Sequence, residues 1–437
     1  MGVGEGSHRR SVAPVTLALP PLRERVLLRD VTVQASEIDL TSPDSFVSGV
    51  PFEMFRTLRR EAPVYRHSDP NGPDYWVVTK HADVIHVSHN NTTFSSEERG
   101  ALFMDPENDE MLQMTRMIML NMDPPKHTKL RLLVNKGFTP RMVGTLEEST
   151  RRHAQEIVDR VAPKGECDFV TEVAAELPLL VIAELMGVPI EDRARVFEWS
   201  NKLIGQDDPE YNNSREEAQT VSAELYAYAN ELAAIRRQDP RDDIITTLLN
   251  AEVDGEKLTE YEFDLFFMLL AVAGNETTRN AITHGMHALI ENPEQRQRLI
   301  DDPRLMTTAV EEILRWASPV MHFRRTALED TDIRGVPIKQ GDKVVIWYIS
   351  ANRDEDMFEN PDTFDVGRTP NEHIAFGGGG PHFCLGANLA RLEIKVLFEA
   401  VLKRLPDIEL AGPVRRLRSN FINGVKEMPV RFTAEAG

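Results

Sequence analysis

Cysteine is nearly absent from this chain of 437 residues, which contains only Cys167 and Cys384. Structural zinc sites and iron–sulfur clusters need several cysteines or histidines close together, so two distant thiols argue against both. A secreted protein gains nothing from two isolated thiols, whereas a reducing compartment preserves them. We therefore expect the protein in the cytoplasm.

Long apolar runs are also absent, although hydrophobic residues make up 41% of the chain. No run reaches the roughly 18 to 20 apolar residues that are needed to span a bilayer. The apolar N-terminal stretch, residues 14–28, is interrupted by Pro20, Pro21 and two arginines, which does not suit a signal peptide. We expect a protein that is not integral to a membrane.

Positive charge is scarce, because the formal net charge is −20. A nucleic-acid partner demands a basic face, so this charge argues against one. Between Pro125 and Val143, however, cations gather on a predicted helix, and they are either a solvated face or a docking patch for an acidic partner. These cations are Lys126, His127, Lys129, Arg131, Lys136 and Arg141.

The hydrophobic periodicity predicts a mainly α fold with small β-sheets. Short strands are expected at residues 64–65, 75–79, 336–338 and 344–348, where β-branched and aromatic residues gather. We expect residues 1–45 to be a loosely ordered arm and residues 46–437 to form a single domain. Residues 95–122 have little regular pattern, and so long a loop in a compact domain is usually functional.

Cys384 lies in the run Phe376-Gly-Gly-Gly-Gly-Pro-His-Phe-Cys384-Leu-Gly386. The glycines allow the backbone to approach a large ligand, while one thiolate is presented to a metal. Because a lone thiolate can serve as an axial ligand, this pattern implies haem. The alternative is that the run is an ordinary glycine-rich loop.

The segment Ala273-Gly-Asn-Glu276-Thr277-Thr278 places polar groups and a glycine inside an otherwise apolar helix. One interpretation is a kinked core helix whose threonine hydroxyls bond back to earlier carbonyls. The other is an opened helix turn that holds dioxygen, with Thr277 and Glu276 relaying protons. The predicted helix begins with a capping box, from Thr259 to Glu262.

From about Pro51 to Phe432 the chain resembles the cytochromes P450, which are haem-thiolate monooxygenases with a single triangular haem domain. Four motifs occur in the order of that family: Asp123-Pro-Pro-Lys-His127-Thr-Lys-Leu-Arg131, residues 273–278, Glu312 with Arg315, and the Cys384 loop. Asn352-Arg353-Asp354 and Phe364-Asp365 match the irregular stretch that precedes the cysteine in the family.

The resemblance implies roles for the matched residues. Glu312 and Arg315 form a structural ion pair that fixes the cysteine loop, so their loss should abolish haem incorporation. Thr277 and Glu276 deliver protons. Haem b is bound by Cys384 as the proximal iron ligand, by Phe376 and Gly386 of its loop, and through the propionates by His127, Arg131, Arg325 and His382.

Two departures from the family pattern affect these expectations. An extra glycine moves Phe376 one residue further from Cys384, which puts the packing of this ring against the cysteine in doubt. Thr363 stands where many relatives carry an arginine that joins Glu312 and Arg315. The sequence therefore leaves the third member of that network open.

Residues 272–280, the run Arg315-Trp-Ala-Ser-Pro319 and the four-glycine loop resemble an actinobacterial branch of the family. That branch oxidises methyl-branched lipids and sterol side chains at the terminal carbon, which requires a narrow channel. Several apolar residues are either walls of such a channel or ordinary core residues. They are Phe266, Phe267, Leu270, Ala273, Val320 and Met321.

The resemblance implies insertion of one oxygen atom into a C–H bond of an apolar lipid, with electrons from NAD(P)H through a reductase and a ferredoxin. The alternatives are a P450 that acts on a terpene or another secondary metabolite, a peroxide-driven or isomerising haem-thiolate enzyme, and a non-catalytic haem sensor or carrier. Intact Thr277 and Glu276 disfavour the last two, since neither needs a proton relay. The sequence does not name the substrate.

Overall fold

The computed structural model describes residues 37–70, 72–204, 208, 210, 215–252 and 255–435. Of the predicted N-terminal arm, only residues 37–45 lie within this part of the chain. The sequence also predicts a loop at residues 206–213 between two helical patterns, and this loop lies outside the described residues, except for positions 208 and 210. The mainly α fold with small sheets is confirmed.

Helices form most of the described chain. In chain order they are α1 (Phe52–Glu61), α2 (His81–His89), α3 (Asp109–Arg116), α4 (Lys126–Val134), α5 (Pro140–Thr145), α6 (Glu147–Val161), α7 (Glu176–Leu185), α8 (Arg193–Ile204), α9 (Arg215–Gln238), α10 (Ile244–Asn250), α11 (Glu260–Glu291), α12 (Pro293–Asp301), α13 (Met306–Ala317), α14 (Tyr348–Ala351) and α15 (Ala387–Arg404).

The strands are short and form small sheets. They are β1 (Val64–His67), β2 (Tyr75–Val78), β3 (Phe94–Ser95), β4 (Glu166–Asp168), β5 (His322–Ala327), β6 (Thr331–Ile333), β7 (Val336–Ile338), β8 (Lys343–Trp347), β9 (Glu409–Leu410), β10 (Arg415–Arg416), β11 (Val425–Glu427) and β12 (Pro429–Arg431). The largest sheet has the order β1-β2-β8-β5-β3, in which only β2 and β8 pair in parallel. The others have the orders β4-β12-β9, β10-β11 and β6-β7.

Helix α11 crosses the centre of the helical layer. Its predicted capping box is present: Glu262 N donates to Thr259 Oγ1 at 3.2 Å, and Thr259 N donates to Glu262 Oε2 at 3.0 Å. Further along, a Cβ at Gly285 would lie 2.7 Å from Ile313 of α13 and 2.9 Å from Phe398 of α15. Only glycine therefore allows these three helices to cross so closely.

The segment from 95 to 122 is more regular than the sequence indicates. It contains α3 and a 3-10 turn, Met119–Asn121. Helix α3 is nucleated by Asn108, whose side chain accepts a hydrogen bond from Met111 N at 2.9 Å, and by acidic residues in its first turn. Within the described ranges, no helix combines the length and the hydropathy needed to cross a membrane.

Candidate active site

A cavity lies between α11, β5, the start of α15 and the segment that precedes α4. Most of its lining is apolar, and its polar residues come from regions far apart in sequence. The sequence predicts nine residues that bind the metal, bind the haem or act in catalysis: Cys384, His127, Arg131, Arg325, His382, Phe376, Gly386, Thr277 and Glu276. All of these except Glu276 line the cavity.

Cys384 presents its thiol to this cavity from the loop that enters α15. Its backbone N–H donates to the Phe376 carbonyl at 2.9 Å, so the longer loop still returns to the aromatic residue. Burial raises the pKa of the Cys384 thiol, whereas a backbone hydrogen bond from Gly386 and the charge of Arg131 lower it. The α15 N-terminus, three residues further on, carries the positive end of the helix dipole and favours a thiolate.

The four-glycine run is packed against the end of α2. Gly379 and Gly380 have φ of +85° and +72°, a region that side chains rarely adopt. A Cβ at Gly379 would overlap the His89 ring, and a Cβ at Gly380 would overlap the Ser88 carbonyl. These contacts absorb the additional residue of the loop, because they fold the glycines onto α2 before the chain reaches the cysteine.

Hydrogen-bond donors without anionic partners gather at one end of the cavity. His127 Nδ1 and His382 Nε2 are buried and have no hydrogen-bond partner among the described residues, and the centres of their rings lie 4.3 Å apart. Burial lowers the pKa of His127 to about 4 and that of His382 to about 2. Arg131 and Arg325 donate only to the carbonyls of Pro381 and Arg324, at 3.3 and 2.7 Å.

This donor set fits the propionate edge of a haem. Buried guanidinium and imidazole groups are costly without partners, and two carboxylates placed among them would supply the missing acceptors. The Cys384 thiol, which lines the same cavity, would supply the single thiolate ligand of the haem iron. The residues that are present therefore match haem with one cysteine thiolate.

A fully buried network lies behind the cysteine loop. Arg315 donates to Glu312 through Nε at 2.7 Å and NH2 at 2.8 Å, and neither side chain has any exposed surface. Arg368 completes the network, because its Nε donates to Glu312 Oε2 at 3.0 Å. Thr363, which stands where many relatives carry an arginine, contributes its carbonyl, which accepts from Arg315 and Arg368.

Thr277 and Glu276 lie on different faces of α11. The helix is continuous here, so the expected opened turn is not present: the Thr277 hydroxyl donates back to the Ala273 carbonyl at 2.9 Å. Glu276 is buried away from the cavity, where its carboxylate accepts from Arg279 and, at 2.9 Å, from Asn280 Nδ2. The Thr277 hydroxyl is therefore on the cavity side of α11, whereas the Glu276 carboxylate is on the opposite side of the helix.

Of the six apolar wall candidates, the cavity lining includes Phe266, Leu270, Ala273 and Val320. Phe267 follows Phe266 by one helical position, about 100° around the axis, and its ring packs on Tyr228 and Phe263 in the core. Met321 follows Val320 in extended chain, where successive side chains alternate, and it packs in the core cluster around Trp347. Neither residue belongs to the described lining.

Several lining residues were missed by sequence reasoning. Met119 and Leu120 come from the segment whose length alone marked it as functional, while Ile182, Phe323 and Tyr348 carry no local signal. Arg368 was also missed, although it follows Phe364 by four residues in the stretch compared with the family.

The fold, the single thiol and the donor set define a haem-thiolate protein. A sequence model of the family "Cytochrome P450" matches residues 46–406, and the chain belongs to that family. Membership implies a haem held by a cysteine thiolate. With named monooxygenases at up to 50% identity, the chain is a cytochrome P450 monooxygenase.

Individual relatives indicate the branch of the family to which the chain is most similar. A steroid C26-monooxygenase of Rhodococcus jostii is 50% identical over 407 residues, covering 91% of this chain and 85% of the relative. A methyl-branched lipid omega-hydroxylase of Mycobacterium tuberculosis is 43% identical over 415 residues, covering 92% and 96%. A Mycobacterium marinum cytochrome P450 in complex with pseudoionone has 42% identity and a TM-score of 0.84, covering 90% and 98%. The predicted branch is thereby confirmed.

Proposed function

We propose that this monooxygenase hydroxylates the terminal carbon of a methyl-branched lipid or a sterol side chain. The observation that carries the proposal is the wall formed by α11: apart from Thr277 and Thr278, its lining residues are apolar or glycine. A wall of this kind accepts a hydrocarbon end and offers no partner to a carboxylate or a ketone. The similarity to the steroid C26-monooxygenase and the omega-hydroxylase supports the same substrate class.

Separate residues of the chain bind the haem and deliver protons. Arg131, Arg325 and the two histidines hold the propionates, and Cys384 holds the iron. When bound, the haem supplies the iron at which dioxygen is reduced and one oxygen atom is transferred to a C–H bond. Thr277 offers a hydroxyl on the cavity side of α11, and Glu276, one residue earlier, holds a carboxylate that can resupply protons from behind the helix.

The electron donor proposed is a ferredoxin, reduced by NAD(P)H through a reductase. Support comes from the exposed cations of the α4 region, since an acidic partner is attracted to such a patch. Lys129 is already paired with Glu256 at 2.5 Å, so we assign the contact to Lys126, Lys136 and Arg141, together with exposed Leu132.

Charge reversal tests this assignment. Lys126→Glu combined with Lys136→Glu should slow reduction by a bacterial ferredoxin and leave substrate titration unchanged. Lys403→Glu, at an exposed position near the end of α15, is the matched control. Equal reduction rates for the double variant and the control would refute the docking site.

Optical titration of the ferric protein tests the substrate class. The panel contains a methyl-branched fatty acid, cholest-4-en-3-one and a straight-chain acid with the same number of carbon atoms, after the reduced carbon monoxide spectrum has verified thiolate ligation. A shift to high spin with the branched compounds, followed by terminally hydroxylated product, is the expected result. Oxidation at internal carbons would refute the proposal.

Oxidation of a terpenoid is the second candidate. It is favoured by the similarity to the M. marinum enzyme whose structure contains pseudoionone. Pseudoionone therefore belongs in the same titration. Tight binding of pseudoionone without any response to sterones or branched acids would favour this candidate.

A further inference from the structure

Residues 96–122 form one wall of the cavity, since Met119 and Leu120 contribute to its lining. The segment connects β3 to α4, and its ends are fixed by local hydrogen bonds. The Asp123 carboxylate accepts from Ser96 N at 2.9 Å, and Asn121 Oδ1 accepts from Ala101 N at 2.8 Å. These bonds hold the base of the segment together. Beyond them, Arg324 N donates to the Ala101 carbonyl at 2.8 Å, and the Phe103 ring packs on Tyr75 and His322.

Asp105 forms the ion pairs that attach the segment to the largest sheet beyond these contacts. Its two carboxylate oxygens contact two cations on paired strands: Oδ1 lies 2.7 Å from NH1 of Arg324 on β5, and Oδ2 lies 2.8 Å from Nζ of Lys343 on β8. The ammonium of Lys343 also lies 4.6 Å from the centre of the Phe103 ring. One side chain of the segment thus bridges two strands of the largest sheet.

The exposure of these groups is unequal. The Arg324 and Lys343 side chains are 3% exposed, whereas the Asp105 side chain is 32% exposed. Lys343 and Arg324 lower the pKa of Asp105, although its burial alone would raise it. When the segment lifts, the acid gains water readily, but the two cations remain in the sheet without their carboxylate, which favours return to the closed position.

Strand β5 connects this contact to the cavity. Arg324 lies between Phe323 and Arg325, which both line the cavity, and successive side chains of a strand point to opposite faces. The contact therefore lies directly behind the cavity wall. On the segment itself, Leu102 and Met104 are 46% and 74% exposed, so apolar side chains lie beside the carboxylate at the surface.

We propose that Asp105 is a positioning residue that keeps residues 96–122 closed over the cavity, and that release of its contact with Arg324 and Lys343 admits and releases bulky ligands. Because opening precedes both entry and exit, weakening the contact raises both rate constants together. The dissociation constant then changes little. Damage to the binding surface itself would instead raise the dissociation rate and the dissociation constant.

Stopped-flow binding of 4-phenylimidazole to the ferric holoenzyme tests this, with cyanide as a ligand small enough to enter without opening. Asp105→Asn should raise the association and dissociation rate constants for 4-phenylimidazole about tenfold, the factor that corresponds to about 1.4 kcal/mol. Cyanide rates should stay unchanged. Asp105→Glu should retain most of the wild-type behaviour. Glu110→Gln removes the same charge from an exposed position on the same segment and weakens only the charge–dipole interaction in the first turn of α3, so it should change both rate constants far less than Asp105→Asn does.

Hydrogen exchange supplies a second readout that does not depend on a ligand. Amides of residues 101–121 should exchange faster in Asp105→Asn than in Glu110→Gln. Should Asp105→Asn fail to retain haem, Lys343→Gln tests the same contact with Arg324 still in place, and it should give a smaller rise in both rate constants. Unchanged 4-phenylimidazole rate constants in Asp105→Asn and Lys343→Gln, or a rise in the dissociation rate constant alone, would overturn the proposal.

This inference rests on the proposed function in one respect, namely that the natural substrate is a large molecule. A phenylimidazole nitrogen binds the iron whichever substrate the enzyme uses. If the lipid panel produces no spin shift while 4-phenylimidazole shows the expected rates, the substrate proposal fails and the role of Asp105 stands.

Discussion

Replacing Glu312 by glutamine should destabilise the protein more than most single substitutions. The carboxylate accepts from Arg315 at 2.7 and 2.8 Å, from Arg368 at 3.0 Å and from Asp365 N at 3.0 Å, and it is fully buried. An amide of the same shape keeps one acceptor oxygen but turns an NH2 group toward two guanidinium groups. Arg315 then remains buried with its charge uncompensated.

The expected loss of unfolding free energy is about 3 to 5 kcal/mol, the cost of removing one partner from a buried ion pair. This is a large fraction of the roughly 5 to 15 kcal/mol that stabilises a typical domain. Urea unfolding followed by the Soret band and by far-ultraviolet circular dichroism measures the loss, and haem content should fall as well. Asn371→Ala, which removes a single bond of 3.2 Å to Glu312, is the control and should cost about 1 kcal/mol. A Glu312→Gln variant within about 1 kcal/mol of wild type would refute this reasoning.

Three further predictions concern other parts of the site. Thr277→Val should divert electrons to peroxide and lower coupled turnover by about 10², whereas Thr277→Ser should retain coupling; product formed per NADH consumed measures this. Gly379→Ala should cost about 1 to 3 kcal/mol, because its φ of +85° disfavours a side chain and the Cβ would overlap His89, while Gly144→Ala, in open space, should cost nothing measurable in urea. Hydrogen bonds from His373 and Arg391 hold the pKa of Glu311 at about 2 against the effect of burial. The ionised Glu311 carboxylate therefore contributes its full stabilisation above pH 4.5 and loses it as the pH falls toward 2. The difference in unfolding free energy between wild type and Glu311→Gln should shrink over that range. A difference that is independent of pH would contradict the assignment.

Local patterns account for the parts of the site that the sequence predicted well. The capping box at Thr259 fixes the start of α11, and a period of 3.6 residues then brings Phe266, Leu270, Ala273 and Thr277 to one face. The same period separates Phe267 from that face, so the neighbouring phenylalanines could have been told apart once the helix register was known. Apolar character alone could not decide between wall and core, because both environments select the same residues.

Local patterns could not predict the ion pairs between residues that lie far apart in the sequence. Arg368 reaches Glu312 over 56 positions, and Asp105 reaches Arg324 and Lys343 over more than two hundred. No periodicity links these residues, since each pair is separated by several helices or strands. The loops that join those elements follow courses that depend on hydrogen bonds such as those that Arg368 donates to the carbonyls of residues 359, 360 and 363. The sequence could supply the charges but not their pairing.

The cysteine loop shows how a local departure can be absorbed by a distant contact. Counting from Phe376 to Cys384 indicates a loop one residue too long for the ring to pack as it does in most relatives. The loop nevertheless closes with the hydrogen bond from Cys384 N to the Phe376 carbonyl, because Gly379 and Gly380 fold onto the last residues of α2. Arg391 of α15 then lies 4.6 Å from the centre of the Phe376 ring and binds Glu311 of α13 through both Nε and NH2. The aromatic residue is therefore held by the same helix that follows the thiol, and both Phe376 and Cys384 line the cavity despite the additional glycine.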